Sequence, residues 1–405
     1  MSIKNSWKPA VLTLHNYYQQ PGGEDSVREA EAALLRQMGH VVIEFTKDNK
    51  EINKMSPWSV ASEAIWSRET QQALRKLLAK NRPNIAHFHN TFLRISPAAY
   101  YACKEAGVPV IQTLHNYRLL CPAATFFRDG KICEDCLNKI PPWPGVYHGC
   151  WRGSKMQTAV VAMMLATHHW LDTWNKQVDL YIALTEFSRK KFIEGGVPGG
   201  KVVVKPNFVM ADALPDLGKT SDVREKDYAL FVGRLSSEKG VHTLLKAWQR
   251  VKEIPLKIVG DGPLMSKAQS IVIQGGLDRI ELLGRRTRQD IFRLMRRARF
   301  LVFPSEWYEG FPMTIVEAFA CGAAVLAARL GAMTEIVTDG QTGLFFEPGN
   351  AENLAEIILW AWTHPKEMID MGHNARREYH EKYTPERNYD MLIEIYQKAI
   401  AQRGR

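Results

Sequence analysis

Two carboxylates, Glu309 and Glu317, stand with seven residues between them, and Gly310, Phe311, Pro312, Met313 and Thr314 follow the first. The apolar run at residues 300–303 reads as a buried parallel strand ending at Pro304 and Ser305, and residues 314–320 have the spacing of a helix. The turn therefore falls at a strand-to-helix junction, where outward-pointing amides carry partial positive charge and can hold a phosphate. Carboxylates touching that phosphate would repel it, so Glu309 and Glu317 are expected to hold neutral hydroxyls, such as those of a sugar. The plainer alternative is two solvated glutamates around an ordinary helix.

A second junction carries cations. Residues 229–233 read as a strand, and Gly233, Arg234, two serines, Glu238, Lys239 and Gly240 lead into a helix at 241–251. Two fixed positive charges beside helix N-terminal amides suit a diphosphate; a solvated charged loop is the alternative. Gly260 and Arg285 end the next two strands. No Asp-x-Asp pair offers a divalent cation in place of Arg234 and Lys239, and no P-loop or Gly-x-Gly-x-x-Gly fingerprint occurs.

In the first half, Gly22 and Gly23 follow a strand and precede a helix, letting the backbone approach a ligand closely; a plain tight turn reads the same way. His115 closes another strand, where a histidine is either a site residue or a satisfied structural one. His87 and His89 alternate onto one face of a strand and read as partly buried polar residues.

The two glutamates with Gly-Phe-Pro after the first resemble the paired-glutamate motif of the retaining glycosyltransferases of family 4, which have the GT-B fold. The other stretches occur in that family's order over nearly the whole chain. The resemblance implies that Glu309 reaches the transferred sugar and Glu317 the nucleotide ribose. It also implies that Arg234 and Lys239 meet the diphosphate, that Arg285 lies beside the base, that the Gly22-Gly23 loop lies beneath donor and acceptor, and that His115 points at the sugar.

The elements that must position these groups alternate throughout. Short apolar strands are expected at 11–15, 41–45, 85–89, 109–114, 180–184 and 202–205, then at 229–233, 256–259, 280–283, 300–303, 324–327 and 344–346. Longer amphipathic stretches separate them, as in parallel α/β layers. The expected fold is thus α/β: two doubly wound Rossmann-like domains facing a central cleft, with ligands beyond the strands' carboxyl ends. Residues 1–207 form an acceptor domain and 208–384 a nucleotide-sugar domain, with a polar linker at 211–227. By the resemblance, the last helix, within 385–405, packs back on the first domain.

At 405 residues the chain exceeds one core, and 45% hydrophobic with 24% charged residues is ordinary globular composition. With no apolar run near the ~20 residues of a membrane helix and no signal-peptide core, a cytoplasmic protein is expected. The net charge of +10 is uneven: residues 1–207 hold 26 Lys and Arg against 17 Asp and Glu, the remainder 27 against 26. A basic first half suits an anionic acceptor or the anionic inner face of a membrane, and no nucleic-acid motif appears.

Cys121, Cys133, Cys136 and Cys150 cluster in one Pro- and Gly-rich stretch, with Cys133 and Cys136 at knuckle spacing. In a reducing compartment they suit a structural zinc better than disulfides, unliganded thiols being the alternative. Residues 155–174 are apolar and aromatic, consistent with a packed helix or with one lying on a membrane surface.

These readings combine as a retaining, metal-independent hexosyltransferase with no catalytic cofactor. The resemblance implies a UDP-sugar donor, UDP-glucose first, or GDP-mannose; the basic first half favours an anionic acceptor, a lipid-linked or polysaccharide intermediate or a sugar phosphate as in sucrose-phosphate synthases. A sugar-nucleotide 2-epimerase and a catalytically silent partner subunit are the rival readings.

Overall fold

A computed structural model describes residues 7–19, 22–210 and 227–403. The linker expected at 211–227 lies outside these residues except for Asp227. The chain divides into two compact units. The first comprises residues 1–126, 134–206 and 388–405, the second 127–133 and 207–387.

The strands of the first half are β1 (Val11–Tyr17), β2 (Val42–Asp48), β3 (Ile85–Asn90) and β4 (Val110–Leu114), a small hairpin of β5 (Phe127–Arg128) and β6 (Lys131–Ile132), then β7 (Leu180–Ala183) and β8 (Val202–Val204). Those of the second are β9 (Ala229–Val232), β10 (Leu256–Val259), β11 (Ile280–Gly284), β12 (Phe300–Phe303), β13 (Ala324–Ala328) and β14 (Gly343–Phe346). Each of the twelve expected strands is present, its ends displaced by no more than a few residues.

The first unit holds a parallel sheet in the order β2-β1-β3-β4-β7-β8, and the second one in the order β11-β10-β9-β12-β13-β14. Central strands such as β3, β4, β12 and β13 are buried along their whole length. Helices on both faces of a doubly wound sheet require apolar residues on both sides of a strand. In the first sheet the winding reverses between β1 and β3, in the second between β9 and β12. At such a reversal the connections on either side depart in opposite directions and leave a crevice beyond the carboxyl ends.

Helices follow those ends after short loops. Gly23–Gln37 follows β1, Val241–Trp248 follows β9, and Met313–Ala320 follows β12. The last helix, Pro385–Arg403, stitches the first unit together from residue 388 onward. Its Tyr389 hydroxyl lies 2.9 Å from His40 Nε2, and its Asn388 Nδ2 donates to the Pro206 carbonyl at 2.7 Å.

Candidate active site

In the second unit the loops after β9 and β12 open on the same crevice. They are joined by backbone: the Glu306 amide donates to the Glu238 carbonyl at 2.9 Å. Gly240 has φ +69°, and a Cβ there would lie 1.8 Å from the Pro304 carbonyl oxygen, so only glycine allows the approach. The expected carriers of charge meet at this seam. Lys239 Nζ lies 2.6 Å from Glu309 Oε1, and the Ser305 hydroxyl donates to the same oxygen at 2.6 Å.

Glu309 is only 5% exposed, and a carboxylate so enclosed requires such partners. Lys239 is confined further by the Trp307 ring, 5.1 Å from its ammonium. The pairing was not anticipated, because seventy positions separate the two residues.

Gly310, Phe311, Pro312, Met313 and Thr314 carry the chain into the helix Met313–Ala320 behind Pro312, where the Met313 amide donates to the Phe311 carbonyl at 2.9 Å and the Ile315 amide to the Pro312 carbonyl at 3.0 Å. Arg234 is exposed on the β9 loop. The Gly233 carbonyl oxygen would lie 1.8 Å from a Cβ on Gly260, so these two glycines press the loops after β9 and β10 together. Arg285 is exposed, with its Nε 3.5 Å from Asp261 Oδ2. Glu317, one side of the helix further on, is pushed up to about 7 by burial, against the pull of the Arg288 guanidinium 3.5 Å away. Arg288 is a cation that the motifs did not single out.

In the first unit the reversal between β1 and β3 is lined by the start of the Gly23–Gln37 helix. Asp25 accepts from the Gly22 amide at 2.8 Å and lies 2.7 Å from His15 Nε2, so one carboxylate caps the helix and holds the histidine. Glu24 accepts from the Tyr18 hydroxyl at 3.0 Å and from Asn116 Nδ2 at 3.1 Å through one oxygen, while its other oxygen is buried without a partner. Burial pushes this carboxyl up to about 8. Arg118 is held between the rings of Phe92 and Trp151, 4.4 and 4.2 Å away.

His115 follows β4 directly and is half-buried, its Nε2 3.0 Å from His89 Nδ1. Burial, with His89 and His15 beside it, holds His115 well below the usual histidine range, so it is neutral near pH 7. His87 and His89 depart from the expectation of partial burial, being 0% and 3% exposed. They are enclosed because His87 bonds Tyr396 of the last helix at 2.9 Å and Thr113 at 2.8 Å, while Glu31 approaches both rings, at 3.1 and 3.4 Å. Lys205 Nζ, 3.0 Å from Glu31 and 3.1 Å from Asn388 Oδ1, supplies the balancing charge. Glu31, His87 and His89 are close enough for a metal ion. With the ammonium and two hydroxyls already engaged, the group reads as a hydrogen-bonded network.

Of the four clustered cysteines, Cys121 and Cys136 are buried and Cys133 and Cys150 half-buried.

Comparison with known proteins places both units. Residues 22–212 match the family model Glycosyltransferase Family 4, and residues 217–378 match Glycosyl transferases group 1. The chain belongs to glycosyltransferase family 4. An uncharacterized glycosyltransferase of Methanocaldococcus jannaschii is 36% identical over 42% of this chain and 48% of its own length. A D-rhamnosyltransferase of Pseudomonas aeruginosa is 31% identical over 39% of this chain and 42% of its own. The matched stretches thus span about half the length of these curated relatives.

Among solved structures, Anabaena HepE in complex with UDP and glucose has a TM-score of 0.67 at 20% identity, covering 95% of this chain and 98% of that one. The sucrose-phosphate synthase of Thermosynechococcus elongatus has a TM-score of 0.68 at 16% identity, covering 98% and 100%. These likenesses establish the GT-B fold of two Rossmann-like domains.

Proposed function

We propose that this family 4 protein is a retaining hexosyltransferase that moves a sugar from a nucleotide sugar to an acceptor hydroxyl. The observation that carries this reading is the Lys239–Glu309 pair at the reversal between β9 and β12. It sets an oriented ammonium and a buried carboxylate side by side where a strand-to-helix turn presents amides. Breaking the anomeric C–O bond puts negative charge on the departing diphosphate. Lys239, Arg234 and the amides of the Gly310–Thr314 turn stabilise that charge as it forms.

Glu309 orients Lys239 and receives a hydroxyl of the transferred sugar, while Glu317 receives the ribose and Arg285 borders the base. The acceptor hydroxyl attacks from the face that the diphosphate leaves. A new C–O bond forms as the old one breaks, and the departing phosphate oxygen takes the acceptor's proton. No metal ion enters this sequence. His115, neutral and held by His89, contributes its ring and adjoining backbone to the sugar side.

A UDP-sugar, UDP-glucose first, is the donor that the HepE complexes favour by likeness, with GDP-mannose second. The excess of cations in residues 1–207 favours an anionic acceptor, either a lipid-linked or polysaccharide intermediate or a sugar phosphate. The test is release of UDP or GDP from a panel of nucleotide sugars, with and without each acceptor class. Acceptor-dependent release with the product anomer matching the donor supports the reading, and an inverted product or epimerised donor refutes it.

A further inference from the structure

The helix Lys155–Trp170 is apolar on two sides, and only one of them is used internally. Val161, Met164 and Leu165 pack with Ala64, Phe92 and Leu93 in a small core. On the opposite side Met156, Met163 and Trp170 are 78%, 56% and 70% exposed. These three are seven residues apart, close to two helical turns each, so they form one line roughly 21 Å long on the outer face. The adjoining helix Trp143–His148 adds Trp143 and Tyr147, 58% and 65% exposed.

Cations accompany these rings: Lys155 Nζ lies 5.4 Å from the Tyr147 ring and Lys139 Nζ 5.3 Å from that of Trp143. From Leu137 to Leu171 the sequence contains Lys139, Arg152 and Lys155 and not one Asp or Glu. Among the described residues no helix is long and apolar enough to cross a membrane.

We infer that this face is a docking surface for the anionic surface of a lipid bilayer. Met, Trp and Tyr side chains exposed on this face are excluded from water by entering the headgroup boundary. Lysines placed over the aromatic rings meet lipid phosphates at the same depth. A soluble protein partner would be expected to meet mixed charge, whereas this stretch is uniformly basic. The inference deepens the proposed function by selecting the lipid-linked acceptor over the soluble sugar phosphate. It stands or falls separately, since docking is measured without donor or acceptor.

The test is co-sedimentation of the full chain with phosphatidylcholine vesicles and with vesicles that also contain phosphatidylglycerol. Binding is expected only to the anionic vesicles and should weaken with added salt. Met163→Glu and Trp170→Glu, both at exposed positions, should abolish it. Lys155→Ala should lower the partition about fivefold, the equivalent of ~1 kcal/mol per cation at an anionic surface. Retained binding in both Glu variants, or equal binding to neutral vesicles, overturns the inference. So does a dimer in light scattering that Met163→Glu dissociates, since a second copy would then cover the face.

Discussion

Lys239 Nζ and Glu309 Oε1 lie 2.6 Å apart across the seam between the loops after β9 and β12. Two residues with separate expected roles, one toward a diphosphate and one toward a sugar, are thus one unit before any substrate arrives. Lys239→Ala removes a fixed cation and leaves a buried carboxylate with Ser305 as its remaining named partner. Transfer should fall more than tenfold, an effect on the order of 2–4 kcal/mol for one such donor. Steady-state rates of Lys239→Ala, Glu309→Gln and the double variant should be markedly non-additive. Additive losses would mean that the pair does not act together.

In the proposed reaction Arg234 acts on the same diphosphate from an exposed position, so its loss should spare stability. Arg234→Ala should cut transfer more than tenfold with an unchanged urea midpoint. Turnover at the parent rate would remove Arg234 from the leaving-group site.

The buried Lys205–Glu31 pair is linked through His87 and His89 to His115. Lys205→Met strands a carboxylate beside two histidines and should cost about 3–5 kcal/mol in urea denaturation, the range for breaking a buried pair by removing one partner. His89→Gln removes the ring that holds His115 and should lower kcat with a smaller change in donor KM. A loss of stability with kcat unchanged would leave the network a purely structural feature.

Much of the fold is legible because a doubly wound sheet imposes a simple pattern. Buried strands such as Phe300–Phe303 appear as short apolar runs bounded by charge and Pro. Where a strand end is polar the pattern fades: β2 continues through Thr46 and Lys47 to Asp48, beyond the expected end at Phe45. The helix expected to reach Val251 ends at Trp248, whose indole donates to the Ile254 carbonyl at 2.8 Å and turns the chain. The motifs around Glu309 and Lys239 are local and therefore readable, but their pairing is not. Likewise, nothing near His87 in sequence announces Tyr396 or Lys205, so a histidine pair that alternates like a half-buried strand is instead sealed inside.

Glu24 offers a test by pH. Its folded pKa of about 8 lies above the ordinary value, so the folded state holds this proton more tightly than the unfolded chain does. The stabilising effect is fully present below about pH 4.5 and is lost as pH rises toward about 8. Glu24→Gln keeps a carbonyl oxygen for Tyr18 and Asn116 and cannot ionise. Relative to the parent, its urea midpoint should rise between about pH 5 and about pH 8. A parallel pH dependence of the two proteins would show that Glu24 titrates in its usual range.

Glu309 and Glu317 share a motif and should nevertheless fail differently. Glu309 is enclosed, bonded to Lys239 and Ser305, and stands before the turn, where the transferred sugar would lie as its ring flattens. Glu309→Gln should therefore lower kcat more than donor affinity, because what it loses is felt mainly in the transition state. Glu317 lies in the helix with its acidity already shifted to about 7, so it is part-protonated near neutral pH and can accept from or donate to a ribose hydroxyl. In the proposed reaction it meets the ribose and not the breaking bond, so Glu317→Gln should raise KM with a smaller change in kcat and weaken UDP and UDP-sugar alike. The decisive measurement is calorimetric titration of both variants with the bare nucleoside diphosphate, which carries no transferred sugar. Equal weakening of UDP by the two substitutions would take Glu309 off the sugar and return it to the diphosphate side with Lys239.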